Sequence, residues 1–456
     1  MGSDDTIAAI ATAVAPGQGS VAIVRISGMA AESIGRRLFH APGRQVWESH
    51  RVLYGHVQDP ASGERVDEAL LLLMRAPRSF TREDVVELHC HGGLIAVGRV
   101  LELVLAAGAR RAAPGEFSQR AFLNGRLDLT RAEAISELIT ARSRRAAQLA
   151  MAGLDGGLQR RITALRERLL DQLAELEARV DFEEDLPPLD GSAVVAALQA
   201  VQGELERLVA QAGQGRLVRD GLKVAIVGRP NVGKSSLLNA LSQQDRAIVN
   251  DQPGTTRDLV ESELVFHGVP LTLLDTAGIR PTDDPVERLG IERSREALAA
   301  ADLVLLLIDL ADGWTAADAE LRDQIPEGLP LVIAGNKADL AGEPASCPAG
   351  SPASCDVAIS ALAGAGLEAL VELMLSRCGA GLEPGLVVAL NARQRELAAA
   401  AAAALGRSLE AAAAQLPLDF WTIDLRAAVG SLGEITGETV SEAVLDRVFA
   451  RFCIGK

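Results

Sequence analysis

Aromatic side chains are scarce: Phe, Tyr and Trp make up 3% of the 456 residues, with one Tyr and three Trp. A stacking platform for single-stranded bases needs several exposed rings in succession, so that class is excluded. Positive charge is also in deficit, since 45 Lys and Arg face 61 Asp and Glu, a net charge of −16. Such a balance excludes a broad grip on nucleic acid, and any such contact has to be local or supplied by a partner. The five cysteines (Cys90, Cys347, Cys355, Cys378 and Cys453) form no CxxC pair. That pattern predicts reduced thiols in a cytoplasmic chain, and neither a disulfide framework nor a structural zinc site. No run of about 18 uncharged apolar residues occurs, so no membrane span is expected. The apolar run Ile7 to Ala15 follows Asp4 and Asp5, where a signal peptide carries positive charge, and reads as a strand. The Ala-rich run Leu397 to Leu405 sits between Glu396 and Arg407 and reads as a helix.

What is present is an ordinary globular balance, 48% hydrophobic and 23% charged, over a length that suggests about three domains. Three textures follow one another. From Met1 to Arg126, short apolar runs such as VAIVRISG and DVVELHCHGG alternate with Gly and Pro, which predicts a mixed α+β domain. From Leu129 to Arg219, apolar residues recur at three- and four-residue spacing, broken at Pro187 and Pro188, with a second helix from Ser192. From Gly221 to Leu382, strands alternate with helices, as in a parallel sheet. After Pro384 the chain is helical again to about Gln415, and a last helix is expected from Ser441 to Phe452. The expected architecture is multidomain α/β. It has an N-terminal domain (1–126), a helical domain split between 127–220 and 383–456, and an inserted α/β domain (221–382).

Within the inserted domain, GRPNVGKS (Gly228 to Ser235) follows the apolar strand Lys223 to Val227 and opens the helical run SSLLNALS. In that context the pattern is a phosphate-binding loop. Gly228 and Gly233 let backbone amides approach phosphates, and Asn231, Val232 and Ser236 complete the cradle. Lys234 reaches the terminal phosphates and the Ser235 hydroxyl holds magnesium. Further elements follow at fitting distances. Asp275-Thr276-Ala277-Gly278 ends the strand LTLLD, where Asp275 can hold magnesium through water and Gly278 can sense the terminal phosphate. Asn336-Lys337-Ala338-Asp339 follows LVIAG, and its carboxylate can accept the two donors of a guanine edge, which selects GTP. Ser360-Ala361-Leu362 closes over the base, and Thr256 caps magnesium. Together these make a GTPase domain. The residues after Gly278 are Ile279 and Arg280, with no water-orienting Gln, so hydrolysis is arranged differently from small signalling GTPases. Asn231 and the segment Val249 to Thr255 offer oxygens for a monovalent cation beside the phosphates; for Asn231, a loop residue satisfying its own backbone is the competing reading.

Outside the GTPase motifs stand Asp5-Thr6-Ile7, Arg25-Ile26-Ser27-Gly28, Ser79-Phe80-Thr81, Glu87-Leu88, His91-Gly92-Gly93 and Pro114-Gly115-Glu116-Phe117. The run Arg120 to Gly125 and the terminal Phe452-Cys453-Ile454-Gly455-Lys456 complete it. With these residues the chain resembles the MnmE (TrmE) family of tRNA modification GTPases along essentially its whole length. The resemblance implies an N-terminal folate-binding and dimerising domain, a split helical domain and an inserted G domain. It implies a potassium-dependent GTPase, active as a homodimer. In a heterotetramer with the FAD-dependent MnmG (GidA) protein, such a dimer adds an aminomethyl or carboxymethylaminomethyl group at C5 of the wobble uridine of certain tRNAs. A reduced folate (5-formyl- or 5,10-methylene-tetrahydrofolate) supplies the carbon, and FAD resides on the partner.

Residue by residue, the resemblance makes Asn231, Asn250, Gln252 and Thr255 potassium ligands, and Ser235 and Thr256 magnesium ligands. Asp251, Pro253 and Gly254 fall in the same nucleotide-binding loop. Glu287 becomes the residue that positions the attacking water, where the sequence alone reads a solvated carboxylate at a helix start; Asn231 and Lys234 share the catalytic work. Arg25, Glu87, Arg126 and Lys456 match folate-contacting positions. Arg126 stands where the family often has Lys, Asn250 where Thr is common, and Gly17-Gln18-Gly19-Ser20 varies a glycine-rich turn.

Plainer readings stand beside these. Alternation in Val85 to His91 puts Glu87, His89 and His91 on one face, either a metal site or a half-exposed strand face. Cys453 reads as a reactive thiol beside the folate or as a chain-end cysteine with no role. Glu183-Glu184-Asp185 has the look of a catalytic carboxylate cluster but reads better as a solvated stretch before Pro187. The competing functions are a ribosome-assembly GTPase, which the net charge and the missing basic module disfavour, and a GTP-driven scaffold without chemistry.

Overall fold

Alternating apolar residues in VAIVRIS and VVELHCH place Val24, Ile26, Val86, Leu88 and Cys90 in one core, as a period of two requires. They lie on strands β2 (Val21–Ser27) and β6 (Val85–His91) of a seven-stranded sheet. Its other strands are β1 (Ile7–Ile10), β3 (Phe39–His40), β4 (Arg51–Gln58), β5 (Arg65–Met74) and β7 (Arg110–Arg111), in the order β3-β4-β5-β6-β2-β1-β7. Every pairing is antiparallel except β1 with β7. Helices Ala31–Leu38 and Leu94–Ala106 bury their apolar faces against the sheet. At β1 the alternation serves two clusters, with Ala8 in the main core and Ile7 and Ala9 packed with Phe117. The strand is shorter than the run Ile7 to Ala15 suggested, because its register with β2 ends at Ile10 opposite Val24.

The computed structural model describes residues 5–15, 17, 19–181, 187–244, 261–275, 297–340, 355–379 and 389–456. It divides into two compact units. One comprises Met1–Ile139, Gly153–Leu198 and Ala404–Lys456, and the other Thr140–Ala152 and Gln199–Ala403. In the first, helix Gly157–Asp181 packs with helix Leu418–Thr436, clamped by Arg426 to Glu177 at 2.7 Å. Leu418–Thr436 is a helix that sequence periodicity missed. Gly430 and Gly433 weaken its helical signal, yet Gly433 is required, since a Cβ there would lie 2.9 Å from Thr439 Oγ1 and 3.3 Å from Arg166 Nε. The last helix is Glu442–Phe449, inside the expected Ser441 to Phe452.

The second unit holds a six-stranded sheet: β8 (Leu222–Val227), β9 (Glu261–Phe266), β10 (Val269–Asp275), β11 (Leu303–Asp309), β12 (Leu331–Asn336) and β13 (Val357–Ala358). The order is β13-β12-β11-β8-β10-β9, and only β9 runs antiparallel. All seven residues of β11 are buried, as a central parallel strand covered on both faces demands. The carboxyl ends of β8, β11 and β12 lie side by side, the edge where ligands bind in open α/β sheets.

Among the described residues no helix is long and apolar enough to cross a membrane. Cys90, Cys378 and Cys453 are free, as expected, but Cys355 is disulfide-bonded, with its partner outside the described residues. A single bridge needs two thiols within reach and no CxxC spacing, so the sequence carried no sign of it.

Candidate nucleotide site and the N-terminal arginine–carboxylate cluster

Strand β8 ends at Val227, and the loop Gly228 to Gly233 delivers the chain into helix Lys234–Gln244. Two glycines make that path possible. A Cβ at Gly228 would meet the Leu307 carbonyl at 2.5 Å, and one at Gly233, where φ is +98°, would collide with Asn336 Nδ2. Asn231 adopts the left-handed conformation (φ +64°), which Asn tolerates better than most residues, and its side chain is exposed. Lys234 Nζ donates to the carbonyls of Gly228 (2.7 Å) and Arg229 (3.0 Å), so the ammonium lies over the loop. Val232 is buried beneath it, while Ser235 and Ser236 are exposed at the helix start. An exposed hydroxyl at that position fits a magnesium ligand.

The segments Asn336 to Asp339 and Ser360 to Leu362 are stitched to this loop. Asn336 Nδ2 donates to the Val232 carbonyl (2.8 Å), and its Oδ1 accepts from the Ala361 amide (2.9 Å). Ser360 Oγ donates to Asp339 Oδ1 (2.6 Å), orienting a carboxylate that is itself exposed. Leu362 is 88% exposed beside them, and Ala338 N donates to the Ile359 carbonyl. Lys337, also at positive φ, pairs with Asp309 at the end of β11 (2.6 Å). Burial raises the Asp309 pKa, but the Lys337 ammonium and the Ala311 amide outweigh it and hold the carboxyl below its usual range. The structure thus brings three separate sequence motifs into one constellation.

Two residues of this site escaped the sequence reading. Arg229, in the loop, reaches Asp318 at 2.9 Å and Asp312 at 3.4 Å. Asp318 is fully buried, and its second oxygen accepts from the Thr315 amide and hydroxyl in a capping box for helix Ala316–Asp323. One carboxylate therefore anchors both the phosphate loop and a helix start. The Thr-x-x-Asp spacing was a visible sign of the cap, but the bond to Arg229 spans 89 residues and left none. Asn250, Asp251, Gln252, Pro253, Gly254, Thr255, Thr256, Thr276, Ala277, Gly278 and Glu287 lie outside the described residues, as do the Asp275 side chain and Glu183-Glu184-Asp185.

In the other unit, Arg25 and Glu87 face each other across β2 and β6 and pair at 2.8 Å. Arg25 also donates to the Gly455 carbonyl (3.1 Å) and lies 5.7 Å from the Phe117 ring. The tail is held in place by Gly455 at φ +93°, against Ile10, and by Gly115 N donating to the Cys453 carbonyl. Lys456, half-buried, follows directly. Arg25, Glu87 and the C-terminal tail are thus brought together. Arg126 sits instead with Phe80, 4.8 Å over its ring and donating to its carbonyl. Cys453 is free and exposed.

The alternation of β6 does not produce a metal site. Glu87 is buried under Arg25 rather than half-exposed; His89 contacts Glu87 at 3.2 Å, and His91 turns to Asp67 at 2.7 Å. His267, Glu368 and Glu372 bring ligand atoms within 4.8 Å of one another, but all three are exposed and no buried group converges with them. Deeper in the first unit, Arg120 is 5% exposed and binds Asp5, Glu83 and Glu116 together. That network ties the start of β1 to helix Glu116–Leu123.

Comparison with known proteins shows the family. The family model described as "MnmE helical domain" matches residues 129–453, and that described as "GTP-binding protein TrmE N-terminus" matches residues 6–126. The tRNA modification GTPase MnmE of Synechococcus sp. (strain RCC307) is 70% identical over 454 residues, covering 99% of both chains. Those of Parasynechococcus marenigrum (strain WH8102) and Prochlorococcus marinus (strain MIT 9303) are 68% and 66% identical, over 100% and 99% of this chain and 100% and 98% of theirs. With relatives matched end to end and family models spanning most of its length, the chain belongs to the MnmE family of tRNA modification GTPases.

Proposed function

We propose that this GTPase uses a potassium-assisted hydrolysis cycle to drive modification of the wobble uridine of certain tRNAs. The observation that carries the nucleotide part is the bonding of Asn336 to both the phosphate loop and the Ala361 segment, which supports a guanine pocket beside a phosphate cradle. Phosphate oxygens are stronger acceptors for Lys234 than the two carbonyls it now holds, and backbone amides at the helix start face the same anion. Ser235, with Thr256, would hold magnesium, whose charge eases transfer of the terminal phosphoryl group. Asn231, with Asn250, Gln252 and Thr255, would hold potassium, and Glu287 would position the attacking water.

On the modification side, Arg25, Glu87, Arg126 and Lys456 would bind a reduced folate. A carboxylate suits the donors of its ring, and cations suit its acidic tail. We assign the work to a homodimer assembled with the FAD-dependent MnmG protein in the cytoplasm, the product being an aminomethyl or carboxymethylaminomethyl group at C5. The division at residues 126, 220 and 382 belongs to the same reading: a folate-binding and dimerising domain, a split helical domain and an inserted G domain. End-to-end likeness to proteins named for tRNA modification supports it.

Nucleoside mass spectrometry of total tRNA, with and without the chain, tests the proposal. The C5-modified wobble uridine is expected to disappear on deletion and to return with the wild-type chain but not with Asn231→Ala. Unchanged nucleosides on deletion, with no paralogue present, would overturn it.

A further inference from the structure

The first unit contains an open cleft of about 560 Å³ whose walls include Arg78, Arg82, Arg126, His50 and Phe80, and no carboxylate. In the same unit Arg25, Arg75, Arg110 and Arg120 each pair with a carboxylate. Among the described residues, no ion pair within 4.0 Å reaches Arg78, Arg82 or Arg126. Arg82 donates one N–H to the Asn124 carbonyl (2.9 Å), and Arg126 donates one to the Phe80 carbonyl (2.9 Å) while lying over that ring. Both guanidiniums are thereby anchored with further N–H groups unspent. Burial and the neighbouring Arg82 charge both push the Arg126 pKa down, as cations held close without an anion require.

Guanidinium forks match phosphate oxygens two at a time, and three of them spread over an open cleft fit successive phosphates better than one small ion. A chain of net charge −16 also needs a local cationic site if it is to hold a polyanion at all. We propose that this cleft binds the sugar–phosphate backbone of the RNA substrate, with Arg78 and Arg82 as its main phosphate contacts. The identity of that RNA as tRNA rests on the function proposed above.

The test leaves Arg126 intact, because that residue is also assigned to the folate. Binding of fluorescently labelled tRNA to the full chain is measured against salt for wild type, for Arg78→Gln with Arg82→Gln, and for Arg78→Lys with Arg82→Lys. Circular dichroism melting serves as the folding control. The Gln pair is expected to lose about tenfold or more in affinity near 0.1 M salt, with a salt slope shallower by roughly two. The Lys pair keeps both charges and is expected to retain the slope. Unchanged affinity and slope in the Gln pair overturn the proposal, as does absence of tRNA binding by the wild type at low salt. A loss of reduced-folate affinity with tRNA binding intact overturns it too, giving the cleft to the folate's acidic tail. If deletion of the chain left the wobble nucleoside in place while the Gln pair still lost RNA binding, the modification reading would fail and the cleft would stand.

Discussion

A methyl group at Gly233 would occupy the space of Asn336 Nδ2, the donor that joins the segment Asn336 to Asp339 to the phosphate loop. Gly233→Ala must displace that amide, and the left-handed backbone at φ +98° adds strain of about 1–3 kcal/mol. Losing the two Asn336 bonds as well, the variant is expected to bind GDP at least about 100-fold more weakly. Titration with a fluorescent GDP analogue measures this, and affinity within threefold of wild type would contradict the geometry. Asp318 shows the same economy at a buried site, with one oxygen on Arg229 and the other on the Thr315 cap. Removing one partner of so buried a pair strands the other, which is why the motif residues alone do not define this loop.

Helix Ala31–Leu38 carries Glu32 in its first turn, where a carboxylate already suits the helix end. Hydrogen bonding from Arg75 lowers the Glu32 pKa, against the opposing effect of burial and with further help from Arg36, to about 2. The group is ionised in the fold and depressed below its ordinary value of 4.5. Its contribution to stability is therefore fully present above pH 4.5 and fades as pH falls toward 2. Glu32→Gln is expected to cost about 1 kcal/mol near neutral pH, since both arginines are partly solvated. Thermal melts of both proteins across pH 2.5 to 7 should converge at the acid end (roughly half a dozen points suffice). A gap that stays constant over that range would remove Glu32 from the acid response. Elements differed in legibility for reasons of the same kind. The strand–loop–helix at Val227 to Lys234 was readable because phosphate chemistry constrains residue type at every step. Helix Leu418–Thr436 was not, since Gly433 answers to packing against Thr439 and Arg166, which local periodicity cannot show.

Across the whole molecule, the alternation of strands and helices from Gly221 onward disclosed the parallel sheet, and the motifs fall at the carboxyl ends of its strands. Bonds between distant residues stayed hidden: Arg229 to Asp318, Arg120 to Asp5, and the bridge at Cys355. The expectation of reduced thiols held for three cysteines whose surroundings differ widely. Burial pushes the Cys90 thiol up to about 12 and the half-buried Cys378 thiol up to about 11, while Cys453 is exposed. Iodoacetamide at pH 7.5 is expected to label Cys453 first, Cys378 slowly, and Cys90 only after denaturation. A peptide mass-spectrometry time course checks the order, and equal rates for Cys90 and Cys453 in the native protein would contradict it.

The bond from Arg25 to the Gly455 carbonyl joins residues 430 positions apart. On a ribosome adding about 5–20 residues per second, strand β2 waits roughly 20 to 90 s for that partner to emerge. Arg25 and Glu87 can pair early, but the contact with the tail forms only once residue 455 has been made. A nascent chain can therefore fold its phosphate loop and hold GTP well before this corner of the N-terminal sheet is closed. Biosynthesis would complete the phosphate loop before the Arg25–Gly455 contact, a temporal order written into the chain by the position of one glycine carbonyl.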